Sequence, residues 1–250
     1  MSVNKGLAAL ILAAGHGKRM KSDLPKVLHE VGGKPMISHV IDQARSCGAE
    51  PIIAVVGHKR ELVIDVIERE GVGYDIQEEQ LGTGHAVQSA EKHFKNYEGN
   101  VLVLSGDVPL LTRETISNVV EYHNKENAVV TVITAIAPDP TGYGRVLRGN
   151  DGNVEAIREH KDCSDTERQI DEINSGIYVF SGKPLFEALS KLDNNNAQGE
   201  YYITDVFAQY FKQKMKVAAI VADFDEIHGV NNIDDLKKAE NIWSSRHEKA

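Results

Sequence analysis

Residues 12–28 hold the densest chemistry in the chain: Leu12-Ala13-Ala14-Gly15-His16-Gly17-Lys18-Arg19-Met20, followed by Leu24-Pro25-Lys26-Val27-Leu28. Two near-adjacent glycines end an apolar run, and cations follow at Lys18, Arg19, Lys21 and Lys26. Glycines let backbone N–H groups close on an anion while lysine and arginine supply charge, so the stretch suits a phosphate. Two familiar phosphate loops do not fit. The dinucleotide pattern needs a third glycine where Met20 stands and an acid at the end of the second strand, where Val56-Gly57-His58 stands. The Walker pattern fails because Gly33-Lys34 precedes Pro35 and Leu28 stands where its first glycine should be. Taken alone, a Gly-x-Gly is equally readable as a tight turn with a solvated charged face.

A second stretch, Gln77-Glu78-Glu79-Gln80-Leu81-Gly82-Thr83-Gly84-His85-Ala86, sets two glutamines before a small-residue turn. An amide offers donor and acceptor together, which suits the edge of a pyrimidine base; by itself the stretch is a polar loop opening a helix. A third, Val101-Leu102-Val103-Leu104-Ser105-Gly106-Asp107-Val108-Pro109, ends an apolar strand in Gly-Asp. Open α/β sheets bind ligands at that edge, and magnesium there prefers one or two carboxylates plus substrate phosphates. In the second half, Thr141-Gly142-Tyr143-Gly144-Arg145-Val146, Glu159-His160-Lys161-Asp162, Glu172-Ile173-Asn174-Ser175-Gly176 and Gly199-Glu200-Tyr201-Tyr202-Ile203-Thr204-Asp205 set polar groups beside strands, where sugar hydroxyls could bind. Gly229-Val230-Asn231-Asn232 offers a late amide, equally readable as a helix cap. There is no Gly-x-Ser-x-Gly elbow and no His-Glu-x-x-His pair. His29, His39 and His85 read as packed or solvated rather than metal-bound, and Cys47 and Cys163 as small structural residues.

The elements that must position these residues alternate. Leu7–Leu12, Pro51–Val56, Tyr74–Gln77, Val101–Leu104 and Val129–Ala135 are short apolar runs without polar alternation, as buried parallel strands are. Ile37–Ala44, Leu62–Ile67, His85–His93 and Thr112–His123 carry apolar residues at helical spacing, with Thr112 as an N-cap. This alternation predicts a doubly wound α/β sheet. After Ala137 the pattern changes. Val146–Arg148 and Val154–Ile157 flank a Gly-Asn-Asp-Gly-Asn turn, which is hairpin chemistry. Ile177–Phe180 and Val217–Ala222 read as strands, and Pro184–Leu192 and Tyr202–Tyr210 as helices. We expect a nucleotide-type half over about residues 1–137 and a β-richer lobe over about 138–231, sharing one sheet. Residues 232–250 form a closing helix and polar tail, with Ile233, Leu236 and Trp243 packed back on the domain.

Composition bounds the rest. The 250 residues carry a net charge of −9, which argues against a broad nucleic-acid or membrane surface. Two cysteines exclude a disulfide framework and point to a reducing, cytoplasmic setting. The first apolar run is too short to span a membrane and has no leader cleavage pattern.

Taken in order, these motifs resemble the sugar nucleotidyltransferases. Those of the second half, from Gly142-Tyr143-Gly144-Arg145 to Gly229-Val230-Asn231, narrow the resemblance to the N-acetylglucosamine-1-phosphate uridyltransferases. It runs from Leu7 to Asn231 and implies a Rossmann-like mixed sheet with a sugar-binding lobe. It also implies magnesium-dependent transfer of uridylyl from UTP to N-acetylglucosamine 1-phosphate, giving UDP-N-acetylglucosamine, a cell-wall precursor, and pyrophosphate. By resemblance Leu12, Ala13, Ala14 and Gly15 belong to the nucleotide loop, and Arg19 and Lys26 are the catalytic cations holding the triphosphate. Gln77, Gln80, Gly82 and Thr83 hold the uridine, and Gly106 joins the substrate contacts. Asp107 and Asn231 ligate magnesium, and Gly144, Glu159, Asn174 and Thr204 line the sugar pocket. The same fold with another nucleotide or sugar phosphate, or a non-catalytic UDP-sugar sensor, are the rival readings. There are two departures: Lys18 stands where the family has Thr, and the sequence ends at Ala250, where family members continue into a β-helix acetyltransferase domain. We therefore expect no acetyltransferase activity and a monomer or weak dimer.

Overall fold

The apolar run at the start of the chain becomes an inner strand of a nine-stranded sheet. The computed structural model describes residues 6–94 and 97–248, so the outermost residues of the expected spans, 1–5 and 249–250, lie outside the described residues. In chain order the strands are β1 (Leu7–Ala13), β2 (Glu30–Val31), β3 (Lys34–Pro35), β4 (Ile52–Val56), β5 (Gly73–Ile76), β6 (Asn100–Ser105), β7 (Val130–Ile136), β8 (Arg145–Arg148), β9 (Val154–Arg158), β10 (Glu172–Ser181) and β11 (Val217–Val221). The α-helices are α1 (Met36–Ser46), α2 (Arg60–Arg69), α3 (Thr83–Ser89), α4 (Arg113–Glu126), α5 (Gly182–Leu189), α6 (Val206–Lys212), α7 (Phe224–Ile227) and α8 (Ile233–His247).

The main sheet runs β11-β7-β10-β6-β1-β4-β5. β1, β4, β5 and β6 pair in parallel, as do β7 and β11, while β10 lies antiparallel between β6 and β7. Alternate residues of β1 enter different cores. Ala9, Ile11 and Ala13 join Leu102 and Leu104 beneath α1, α2 and α4; Ala8 and Leu10 join Val101 and Val103 beneath α3, α5 and α6. Both faces are covered, which is why these strands show no polar alternation. The chain leaves β1 for β4 on one side and returns to β6 on the other. The carboxyl end of β1 is thus a topological switch point, where an open α/β sheet leaves a crevice.

The second-half hairpin, β8 and β9, adds to β10. Arg148 fastens it there through two bonds of 2.6 and 2.7 Å to Glu172, which also accepts from Thr134 at 2.7 Å. Two helix expectations need correction, and one ribbon was not expected. The helix read over His85–His93 ends at Ser89, and a 3-10 turn over Glu91–Phe94 follows, which turns Phe94 onto Phe186 with ring centroids 5.6 Å apart. The helix read over Tyr202–Tyr210 begins as a 3-10 turn, Ile203–Asp205. The ribbon of β2 and β3 went unread; Gly32 and Gly33 turn it at φ of 59° and 73°, the two-residue hairpin geometry that only glycine-like residues adopt easily.

α8 docks on that ribbon. Leu236, Ala239, Ile242 and Trp243 cover Met20, Val31, Met36, Leu110 and Val230. Ile233, expected on the same stripe, is 42% exposed, because the first helical turn extends past this small cluster. A Cβ at Gly32 would meet the Trp243 ring at 2.4 Å, on a residue already at positive φ. Gly32→Ala is therefore expected to cost about 2–4 kcal/mol, from left-handed strain and overpacking together. Trp243 is the one tryptophan of the chain, so a red-shifted emission at temperatures where circular dichroism is unchanged would report the helix lifting off.

Candidate active site

At the switch point the chain turns out of β1 through Gly15 and Gly17. Gly17 sits at φ 60°, and a Cβ there would press to 2.9 Å on the Cβ of Lys26, so the glycine lets the two halves of the loop close together. The loop carries two 3-10 turns, Lys18–Met20 and Lys26–Leu28, anchored by the buried Met20, Val27 and Leu28. Arg19 and Lys26 both reach Asn231, whereas Lys18, exposed like Arg19, points elsewhere into solvent. The cleft is about 320 Å³ and is lined by Leu12, Ala13, Ala14, Gly15, Lys26, Gln77, Gln80, Gly82, Thr83 and Asp107, all expected from the sequence. His16, Ser105 and Glu200 also line it and were not expected there. His16 lies 5.0 Å, ring to ring, from His58 at the end of β4; two histidines on separate loops give no sequence signal for such a pairing.

Opposite the loop, Gly106 and Asp107 follow β6. The Gly106 N–H donates to the Leu12 carbonyl at 2.9 Å, and the Val230 N–H to the Asp107 carbonyl at 2.9 Å. The second bond brings in Asn231, over two hundred residues along the chain from the loop that follows β1. Its amide nitrogen donates to the Gly229 carbonyl at 3.0 Å, which fixes its oxygen the other way, towards Arg19 Nη2 at 2.8 Å and Lys26 Nζ at 3.2 Å. Lys26 also pairs with the Asp107 carboxylate. Asn231 and Asn232 divide the two readings left open by the sequence. Asn231 faces the cations, and Asn232 caps α8 by accepting from the N–H groups of Asp234 and Asp235.

Two hard oxygen donors, one carboxylate and one amide, thus converge with a cation already seated between them. A Cβ at Gly229 would stand 3.6 Å from the Asp107 carboxylate, so the glycine keeps that side open. This donor set fits magnesium, which takes few protein oxygens and completes its octahedron with phosphates and water. Among the described residues no three His, Cys, Asp or Glu side chains gather as a self-sufficient metal site.

Behind Asn231 lies a support that sequence reading missed. Tyr143 Oη meets His228 Nδ1 at 3.0 Å, His228 Nε2 lies 3.4 Å from Asp235, and Asp235 accepts from the Asn231 N–H at 2.9 Å. Burial, with Asp235 and Asp107 nearby, pushes the Tyr143 hydroxyl up to about 12, so it stays protonated.

The remaining expected residues form a second cluster, around β8, β9 and β10. The Asn174 N–H donates to the Gly144 carbonyl at 2.9 Å. Thr204 donates to Glu159 at 3.1 Å, and a Cβ at Gly144 would stand 3.5 Å from Glu159 Oε2. Burial raises the Glu159 carboxyl, partly offset by the Thr204 hydrogen bond. Asn174 begins a β-bulge: the register of β10 on β7 shifts between Asn174 and Tyr178, with Gly176 at φ 78°. Bulges re-aim side chains beside active sites, and here Gly176 comes within 3.5 Å of Ser105 Oγ in the cleft lining, measured from where its Cβ would stand. Thr83, at the start of α3, joins the turn before α6 by accepting from the Ile203 N–H at 3.1 Å.

Asp205 sits beside this cluster, where burial together with Asp193 and Asp162 pushes its carboxyl up to about 6. Its folded value is raised above the unfolded one, so the unfolded chain ionises first and stability falls as pH rises from about 4 to 6. Asp205→Asn is expected to gain about 1 kcal/mol at neutral pH, discounted for partial exposure, read as about 2–4 °C in Tm. The gain should vanish below about pH 4, where both states bind the proton; melting curves across pH check it.

A nucleotidyl transferase family model matches residues 8–244. Relatives described as bifunctional protein GlmU include one from Exiguobacterium, 53% identical over 239 residues, covering 95% of this chain and 53% of that protein. Those of Geobacillus thermodenitrificans and Clostridium acetobutylicum are 51% and 49% identical, covering 95% and 90% of this chain and 52% and 49% of theirs. The chain spans about half the length of the curated relatives it matches. Among solved structures, a Bacillus anthracis protein described as a glucose-1-phosphate thymidylyltransferase superposes with a TM-score of 0.74, covering 95% of each chain at 21% identity, a likeness of fold. Because the family match runs from the first strand into the last helix and so takes in both halves of the site, this protein belongs to the nucleotidyl transferase family and is a nucleotidyltransferase enzyme.

Proposed function

We propose that the chain transfers uridylyl from UTP to N-acetylglucosamine 1-phosphate, giving UDP-N-acetylglucosamine and pyrophosphate, with magnesium as cofactor. The observation that carries this reading is the convergence of Lys26, Arg19, Asp107 and Asn231 at the mouth of a cleft whose floor holds Gln77 and Gln80. Relatives near half identity bearing the GlmU name support the same substrates.

A sugar-phosphate oxygen attacks the α-phosphorus, and the bond to the bridging oxygen of the pyrophosphate breaks. The nucleophile comes with the substrate, so the protein must position and neutralise. Lys26 draws the α-phosphate and incoming phosphate together, and Arg19 stabilises the leaving pyrophosphate. Gln77 and Gln80 meet the base, while Gly144, Glu159, Asn174 and Thr204 take the sugar. Asp107 and Asn231 hold magnesium, which supplies Lewis-acid stabilisation of phosphate charge. Both cysteines are free, which suits a reducing cytoplasm, and among the described residues no helix is long and apolar enough to cross a membrane. Pyrophosphate release over a panel of UTP, CTP and dTTP with several sugar phosphates tests the reading. Highest kcat/KM for UTP with N-acetylglucosamine 1-phosphate is expected. Equal turnover of dTTP with glucose 1-phosphate would move the protein to another specificity, and binding without turnover would make it a sensor.

A further inference from the structure

The Gln77 side chain is almost entirely buried, and the direction of its amide is set by the protein. Its nitrogen lies 3.0 Å from the Gly82 carbonyl, which can only accept, so that end must be the NH₂. The same nitrogen lies 3.1 Å from Nδ1 of His85, on the first turn of α3. One amide hydrogen therefore goes to the Gly82 carbonyl and the other to Nδ1, which meets it as the unprotonated ring nitrogen. The Gln77 oxygen has no partner among the described residues, and the side chain lines the cleft. Gln80 holds the backbone of the same residue, donating to the Gln77 carbonyl at 3.1 Å.

We infer that His85 is a positioning residue for base selection: by accepting from Gln77 it keeps the amide oxygen, not the nitrogen, turned to the bound pyrimidine. This rests on the proposed use of UTP. Uracil presents N3–H between two carbonyls, so a fixed acceptor is the group it needs. Cytosine presents a bare N3, and an oxygen aimed at it meets lone pair with lone pair. To welcome cytosine the amide must turn over, which sets its oxygen against the Gly82 carbonyl and obliges His85 to shift its ring proton to Nδ1. Leaving polar groups mispaired is how a hydrogen-bonding site rejects a near-isostere. The Gly82 carbonyl alone would hold the amide less firmly; His85 doubles the constraint.

The test compares His85→Asn, His85→Gln and His85→Leu by kcat/KM for UTP and CTP in pyrophosphate release with N-acetylglucosamine 1-phosphate. Asn can place an oxygen where Nδ1 stands, Gln sets its amide one bond further out, and Leu keeps bulk without an acceptor. The UTP/CTP ratio is expected to fall about tenfold in His85→Leu and His85→Gln and to stay within about threefold of the parent in His85→Asn, the loss of one hydrogen-bond constraint. A packing role would lower both nucleotides together and leave the ratio in place, and that result overturns the inference. Equal ratios in Asn and Leu variants overturn it too. A parent enzyme that does not prefer UTP to CTP would instead overturn the reading of the substrate, so the two failures are separable.

Discussion

Lys26→Ala is expected to lower kcat by about 10²–10³-fold while the protein stays folded, the usual cost of one preorganised charge at a transition state. Its ammonium is held by polar partners, Asp107 and Asn231, rather than by the core. Asp107→Ala should cost at least as much, but with a different signature. Removing the lysine frees the carboxylate and leaves the magnesium requirement no higher than the parent's, whereas removing the carboxylate takes away a hard anionic donor and raises the magnesium concentration needed for half-maximal rate. The double variant should lose less than the product of the singles, since the two groups touch and serve one transfer. Pyrophosphate-release kinetics across magnesium concentration, with circular dichroism as the folding check, decide the matter. Near-normal turnover by either folded single variant would remove the charge cluster from the mechanism.

The largest stability effect is expected at Phe180. It is fully buried on β10, the antiparallel strand that joins the two halves of the sheet, and packs on Tyr178 and Phe207 with ring centroids 5.4 and 6.4 Å away. Phe180→Ala should cost about 3–5 kcal/mol by transfer and cavity together, and at about 2–4 °C per kcal/mol for a domain of this size the melting point should fall by roughly 6–20 °C. A urea midpoint shifted with unchanged slope would confirm lost stability rather than an altered denatured state. A cost below about 1 kcal/mol would mean that the aromatic cluster collapses to fill the space.

What the sequence determined by itself is local. An uninterrupted apolar run such as Leu7–Ala13 must be covered on both faces, so the doubly wound sheet was legible from β1, β4 and β6. Glycines followed by cations marked the turn out of β1 that carries Arg19 and Lys26, Gly106-Asp107 marked a carboxylate just past a strand end, and Thr112, read as a cap ahead of Glu114, does accept from the Thr115 N–H. The tertiary structure decided what no short window contains. Asn231 reaches Lys26 only because Val230 bonds back to the Asp107 backbone. Tyr143, His228 and Asp235 support it from three separate segments. The bulge at Asn174 exists only as a register shift against another strand. Periodicity and turn residues report which way an element faces and where it stops; which loop ends meet depends on strand order and crossovers, set by the burial of the whole sheet rather than by any one stretch of it.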